Sequence, residues 1–267
     1  MTGRTLGVAG AGCLTGLFAW ACSDAAAPAS GALIWQDEFE GPAGQLPDAD
    51  KWVFDLGTDW GNAQLEFTTD RALNVSLDGE GNLAITARRE RYMDRDYTSG
   101  RIKTLGRFQQ ERGRFEARIK VPVGQGMWPA FWMLGGDFPN IGWPACGEID
   151  IMEFRGQEPN IVHGSLHGPG YSAGQASSTR FVLPGGGFHE DFHTFAVEWS
   201  QDRIEWFVDG ELYKSVGPGD LTGEWVFDKP FFILLNLAIG GHFVGPPNPD
   251  TVFPQSLLVD WVRVWSP

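Results

Sequence analysis

Three acids stand close together in one short apolar segment, CGEIDIMEF at residues 146–154. Glu148, Asp150 and Glu153 are set among Ile149, Ile151, Met152 and Phe154. Carboxylates are costly beside apolar packing unless something compensates them, so such a run points to use rather than to solvation. In an extended strand successive side chains alternate, which places Glu148 and Asp150 on one face and Ile149 and Ile151 on the other. Strict alternation would then bury Glu153, and a β-bulge near Ile151–Met152 would return it to the acidic face. Like charges on one face raise one another's pKa, which suits a group that must hold a proton near neutral pH. Two carboxyls flanking a glycosidic bond supply the chemistry of its hydrolysis: one protonates the leaving oxygen, the other attacks the sugar or activates water. Neighbouring same-face positions lie roughly 6–7 Å apart along a strand, and side chains two steps apart can converge. A gap of about 5–5.5 Å leads to a covalent glycosyl-enzyme and retention. On this reading Glu148 is the nucleophile, Glu153 is general acid and then base, and Asp150 hydrogen-bonds Glu148 and tunes its charge.

Two other chemistries need weighing. His163 and His167, in VHGSLHG, are four residues apart like the histidines of a zinc HExxH site. That motif needs a helix and a glutamate after the first histidine, and this stretch has neither. The better expectation is a strand-borne His167 facing the acids, in contact with substrate or Glu153, with His163 structural. Of three cysteines, Cys13 and Cys22 fall in the first 22 residues. Cys146 is then alone in the folded part, which predicts no structural disulfide. With no orienting His/Asn pair evident beside it, it reads as a small buried residue and not as a nucleophile.

The elements that must carry these residues are strands. With 36 Gly, 17 Pro and 42% apolar residues in 267, the chain favours many short strands joined by turns around a sizeable core. In 114–120, Phe115, Ala117 and Ile119 alternate with Arg114, Glu116, Arg118 and Lys120, the period of a half-buried strand. Residues 203–208 repeat the device, and Asp209-Gly210 predicts a hairpin into ELYKSV. Further strands are expected at 82–88, 101–105, 128–134, 147–153, 161–167, 193–199, 231–238 and 257–265. That number of short strands predicts an all-β sandwich of two curved antiparallel sheets, in one domain spanning 32–267. Ahead of it, residues 1–21 read as a signal peptide, with Arg4 as its basic start and Leu6 to Ala21 as its apolar stretch. Small residues before Cys22 suit a lipoprotein signal with Cys22 as the lipidated first residue, although position 19 is Ala where Leu is usual. The alternative is an ordinary cut near Ala21 or within 25–29. Residues 22–31 read as a flexible tether. Either cut predicts a secreted or outer-membrane-anchored bacterial protein.

GEIDIMEF resembles the E-x-D-x-x-E signature of glycoside hydrolase family 16 in its laminarinase-like branch. The resemblance continues through YTSGRIKT (97–104), GRFEARIKVPVGQGMWPAFWMLG (113–135), WPACGEIDIMEFRG (143–156), FFILLNLAIGG (231–241) and VDWVRVW (259–265). It covers roughly residues 33–266. It implies a concanavalin A-like jelly roll with a concave cleft, and retaining endo-hydrolysis of β-1,3-glucosidic bonds with Glu148 and Glu153. Mixed-linkage β-1,3-1,4-glucan is a further substrate it allows. It also implies cleft positions for Trp128, Trp132 and Trp143: sugar stacking for Trp128 and Trp143, stacking or core for Trp132. Asn62 in DWGNAQLEF resembles the W-G-N-N-E-L motif and would bind sugar hydroxyls, though Ala63 and Gln64 depart from that motif. Arg101 in SGRIKT would bind a sugar, hold a catalytic glutamate or form a plain salt bridge. Catalysis in this family needs no cofactor. A structural calcium on the far face is implied, with Glu38, Gly81 and Asp260 as ligands largely through backbone oxygens.

The formal charge of −14 repels nucleic acid and anionic lipid and argues against a polyanionic substrate. A neutral polymer fits best, and twelve Trp are more than a core needs. The expected partner is a β-glucan polysaccharide bound by a monomer, with membrane attachment only through a lipid on Cys22. Two rivals share the fold: a β-glucan-binding lectin-like protein, which could dispense with a catalytic glutamate, and a cell-wall transglycosylase using the same acids.

Overall fold

The computed structural model describes residues 1–3 and 31–267. The signal peptide beyond residue 3, Cys22 and the tether up to residue 30 lie outside the described residues.

Period-two sequences become strands throughout, and the strands pair into two sheets. One sheet has ten strands: β1 (Leu33–Asp37), β3 (Glu66–Thr68), β4 (Val75–Leu77), β5 (Leu83–Tyr92), β6 (Arg95–Ser99), β8 (Gly113–Lys120), β13 (His193–Trp199), β14 (Ile204–Val208), β15 (Glu211–Val216) and β17 (Gln255–Trp265). The other has seven, in the order β12 (Ser177–Val182), β11 (Ile161–His167), β10 (Glu148–Phe154), β9 (Met127–Gly135), β16 (Phe231–Ile239), β7 (Arg101–Lys103) and β2 (Val53–Phe54). Every pair in the seven-stranded sheet is antiparallel. In the larger sheet β3 and β6 run parallel. The hairpin at Asp209-Gly210 has both residues at positive φ, 49° and 79°, as a two-residue turn matched to strand twist requires. Among the described residues helix is confined to short pieces such as α1 (Phe138–Ile141) and a 3₁₀ turn at Ala173–Gln175.

The inner faces of the two sheets fuse into one core. Ile149, Ile151, Met152 and Phe154 of β10 join Phe115, Ala117 and Ile119 of β8, Phe195 and Val197 of β13, and Trp206 of β14. Full burial of such a side chain contributes roughly 1.5–3 kcal/mol each, so the acid-bearing strand is pinned from behind by its apolar face.

One expectation is revised in β8. Its polar face is not open, because Arg114 and Glu116 are also buried. Arg114 donates to Glu116 at 3.0 and 3.1 Å and to Glu198 at 2.8 Å, and its guanidinium lies 5.3 Å from the Phe207 ring. Mutual neutralisation lets both charges be covered.

Candidate active site

Register shows how β10 delivers its third acid. Against β9, Asp150 pairs with Trp132 and Met152 with Phe131, leaving Ile151 as the extra residue of a bulge. Ile151 and Met152 both turn into the core, 1% and 0% exposed. The face count therefore resets, and Glu153 returns to the side of Glu148 and Asp150. The bulge expected near Ile151–Met152 is present.

The opposite register partners on β11 are histidines: His167 faces Glu148 and His163 faces Glu153. His167 Nε2 lies 3.0 Å from Asp150 Oδ2 and 3.8 Å from Glu148 Oε1. Its Nδ1 accepts the Ala173 backbone N–H at 3.2 Å, which leaves the proton on Nε2, directed at the acids. His167 thus lies nearest to Asp150 and its charge also reaches Glu153, while His163 is the register partner of Glu153. One donor atom each from Glu148, Asp150 and His167 lies within 4.8 Å of the others, close enough for a cation. A proton on Nε2 unfits that nitrogen as a metal ligand, and Asp150 Oδ2, 3.0 Å away, is buried without an aligned hydrogen-bond partner.

The site lies in a poorly solvated place. Burial, and then the negative charge of Asp150, push Glu148 well above the usual carboxylate range. Burial raises Asp150 to about 7, and burial followed by Asp150 raises Glu153 to about 8. The three carboxyls titrate as one set that still holds protons at neutral pH. Behind them, Trp206 donates its indole N–H to the Asp150 carbonyl at 2.8 Å, fixing the strand next to its bulge. Cys146 is fully buried, with its thiol pushed up to about 11 by burial and by Glu148, as an inert packing residue should be.

Around the acids the aromatic residues divide. Trp128 is only 7% exposed, lies 5.0 Å from the Phe243 ring and donates its N–H to Glu153 Oε1 at 3.0 Å. It is too covered to present a face to sugar, so its geometry is that of a carboxylate donor and not of the expected platform. Trp143 is 44% exposed, 6.0 Å from the His167 ring at the Glu148 end. Trp132 is half-buried and donates to Asn236 Oδ1 at 2.7 Å. Between its ring and that of Trp60, at 4.9 Å from each, lies the Arg101 guanidinium. Arg101 donates to Asp55 at 3.0 Å, and Lys103 pairs with the other Asp55 oxygen. Asn62 is exposed, and its backbone carbonyl accepts the His242 N–H at 2.8 Å. Gly241, at φ 96°, fits between that carbonyl and the Trp128 ring, where a Cβ would sit 2.7 Å from the oxygen. Trp60, Asn236 and Phe243 were not singled out by sequence. Trp60 immediately precedes the Gly-Asn of the Asn62 motif, which was the available signal.

On the far side, Glu38 accepts two hydrogen bonds from Arg263 at 2.9 Å each, and Asp260 pairs with Arg118. Gly81 sits in a turn at φ 87°, near Glu40. The two acidic side chains are already neutralised by arginine, so a cation among these three residues would rely on main-chain oxygens. A cavity of about 370 Å³ lined by Asp37, Glu38, Glu40 and Asp48 opens at the same end.

The profile of Glycosyl hydrolases family 16 matches residues 55–262, a span that holds the bulged strand and its acids. The chain belongs to this family. The β-glucanase of Rhodothermus marinus is 40% identical over 245 residues, covering 87% of this chain and 84% of that protein. The laminarinase catalytic domain of Thermotoga maritima superposes with a TM-score of 0.84 at 43% identity, covering 89% of this chain and 98% of that one. The endo-β-1,3-glucanase of Pyrococcus furiosus gives 0.82 at 46% identity, covering 88% and 94%. The chain is a glycoside hydrolase with the jelly roll of its family, and retaining chemistry is general to that family.

Proposed function

We propose that this enzyme is a retaining endo-β-1,3-glucanase, with mixed-linkage β-glucan as a second substrate. Glu148 attacks the anomeric carbon while Glu153 protonates the leaving oxygen, and Glu153 then withdraws a proton from the water that releases the sugar. Asp150 lies between the two glutamates and tunes the charge of Glu148, while His167, close to both Asp150 and Glu148, favours the ionised nucleophile. The observation that carries the reading is the bulge at Ile151, which gathers three carboxyls on one face at the expense of ladder regularity. Support for the linkage comes from the relatives named above as laminarinase and endo-β-1,3-glucanase. Trp143 supplies an exposed ring for sugar stacking, and the Trp60–Arg101–Trp132 stack with Asn62 forms the remaining lining.

In this reading the catalytic domain spans 32–267, behind a signal peptide and a tether that take it out of the cytoplasm, either by plain secretion or with a lipid on Cys22. Catalysis in the family runs without a cofactor. Calcium, if bound near Glu38, Gly81 and Asp260, would be structural and held by backbone oxygens.

The test is reducing-sugar release from laminarin, lichenan, carboxymethylcellulose and agarose. Strong release from laminarin, weaker or equal release from lichenan and none from the others is the expected pattern. Glu148→Ser is expected to abolish release while laminarin still retards the protein in an affinity gel. Retardation without release by the unaltered enzyme would favour the lectin-like alternative, and near-normal turnover by Glu148→Ser would remove the nucleophile assignment.

A further inference from the structure

Three side chains in the neighbourhood of Glu153 share one aromatic ring, that of Phe243. Phe243 follows β16, and Trp128, which donates its N–H to Glu153, lies against it at 5.0 Å. His163, the register partner of Glu153, meets the same ring edge-on at 5.3 Å. The guanidinium carbon of Arg155 lies 4.1 Å from the ring centroid. Arg155 comes two residues after Glu153, so alternation carries it to the same side of the sheet as the acids. Its Nη1 is 3.5 Å from Glu158, and its Nε is buried without a hydrogen-bond partner. A guanidinium held on an aromatic face in a partly desolvated place keeps its charge and stays where it is put.

We propose that Arg155 is a positioning residue for Glu153: its cation, clamped on Phe243 and tethered to Glu158, favours the ionised carboxylate that must take a proton from water. The proposal rests on Glu153 being the acid/base.

The role follows from a conflict within the site. Burial and Asp150 hold the Glu153 proton on strongly, to about 8, which suits the first step and hinders the second. A general acid/base works best when its pKa lies near the working pH. Three groups draw it back: His167, the Trp128 N–H that donates to it, and then Arg155. From its own strand it is faced by Glu148 and Asp150, which push it up. From β11 come His163 and His167. His163 is held towards its neutral form by burial and then by Arg155, and Arg180 of β12 lies opposite it in register. From the other sheet Tyr213 and Lys214 of β15 approach from behind. Within that set, Arg155 is the cation on the Glu153 side, and Glu158 moderates its charge.

The experiment is the pH profile of kcat/KM and kcat on a soluble β-1,3-glucan for the unaltered enzyme, Arg155→Met, Arg155→Lys, Glu158→Gln and Glu153→Gln. Arg155→Met is expected to move the basic limb of kcat/KM up by about 0.5–1 pH unit, the scale of one nearby charge in a partly screened site. It should also lower kcat several-fold at pH 6, where the base form becomes scarcer, with little change in KM. Arg155→Lys should restore the limb to within about 0.3 unit, since a charge remains. Glu158→Gln should move it the opposite way, a sign that loss of folded protein cannot mimic. An unmoved limb in Arg155→Met, or shifts of the same sign in Arg155→Met and Glu158→Gln, would overturn the proposal. Glu153→Gln separates the two ideas. If it retains the basic limb, the acid/base assignment itself fails. If it loses the limb while Arg155→Met leaves it in place, only the role of Arg155 fails.

Discussion

The acids of β10 and those of the ten-stranded sheet are handled in opposite ways. In the larger sheet Glu116 and Glu198 share Arg114, Asp260 meets Arg118 and Glu38 meets Arg263, each within 3.1 Å. On β10, Asp150 is 2% exposed and its nearest cationic candidate is a histidine. The first group shows what the sequence can do with a buried carboxylate when the fold is all that matters. The second is left uncompensated, and its protons are correspondingly hard to remove. A region that forgoes stability in this way, inside a chain that neutralises acids elsewhere, marks where selection acted on chemistry.

The sharpest way to break that comparison is a matched pair of neutralising substitutions. Asp150→Asn should lower turnover by about 10²-fold or more, the usual scale for disturbing acid–base catalysis. It should nevertheless raise Tm at pH 7 by a few degrees, because a poorly solvated negative charge is gone. Glu116→Gln should leave turnover within about twofold and lower stability by roughly 2–3 kcal/mol, since Arg114 loses its bidentate partner while keeping Glu198. Thermal unfolding and laminarin turnover measured side by side decide it. A fall in Tm for Asp150→Asn equal to that of Glu116→Gln would mean that the two regions do not differ.

The pH dependence of stability gives a second, smaller contrast. Asp150, Glu153 and Glu66 have folded pKa values raised to about 7, 8 and 7, with burial the first cause in each. The folded state therefore holds more protons than the unfolded chain between about pH 4.5 and 8, and stability declines as pH rises through that window. Lys214, lowered to about 7 by burial, acts the other way. The unfolded chain keeps its proton between about pH 7 and 10.5, so stability recovers with pH there. Glu90 is held below the usual range by the Thr98 hydroxyl, with Arg71 also contributing, so its stabilisation is lost as pH falls below about 4.5. Tm should peak near pH 4.5 and fall several degrees by pH 8, and Lys214→Met should remove the recovery above pH 8. A flat profile from pH 5 to 8 would show that the acids are better solvated than their burial implies.

Much of this was legible in the sequence because period-two patterning and a bulge follow from local spacing. Ile151 and Met152 are consecutive apolar residues before an acid, and that alone forecast the reset at Glu153. Contacts set by register were not legible. His163 and His167 lie on one face by alternation, and only the pairing of β10 with β11 sets one opposite Glu153 and the other opposite Glu148. Trp128 was misplaced for a related reason: its cover, Phe243, is more than a hundred residues away in the chain. The burial of Arg114 and Glu116 was hidden in the same way, since alternation reports which face a residue occupies and not what later covers that face.

The smallest expected effect lies at the paired acids themselves. Glu38 and Arg263 are each about one third exposed, at 34%. Exposed pairs contribute about 0–1 kcal/mol, so Glu38→Gln should shift Tm by no more than about 2–3 °C and leave turnover unchanged. Repeating the melt with calcium and with chelator gives the small number its use. If a cation is held through main-chain oxygens, calcium should raise Tm equally in the unaltered enzyme and in Glu38→Gln, because ligand binding to the folded state stabilises it by mass action. A rise confined to the unaltered enzyme would instead make the Glu38 carboxylate a ligand, and its pairing with Arg263 would then have to open when calcium binds. In that case the neutralised acids of the larger sheet would also serve a ligand, and the contrast with β10 would be one of degree.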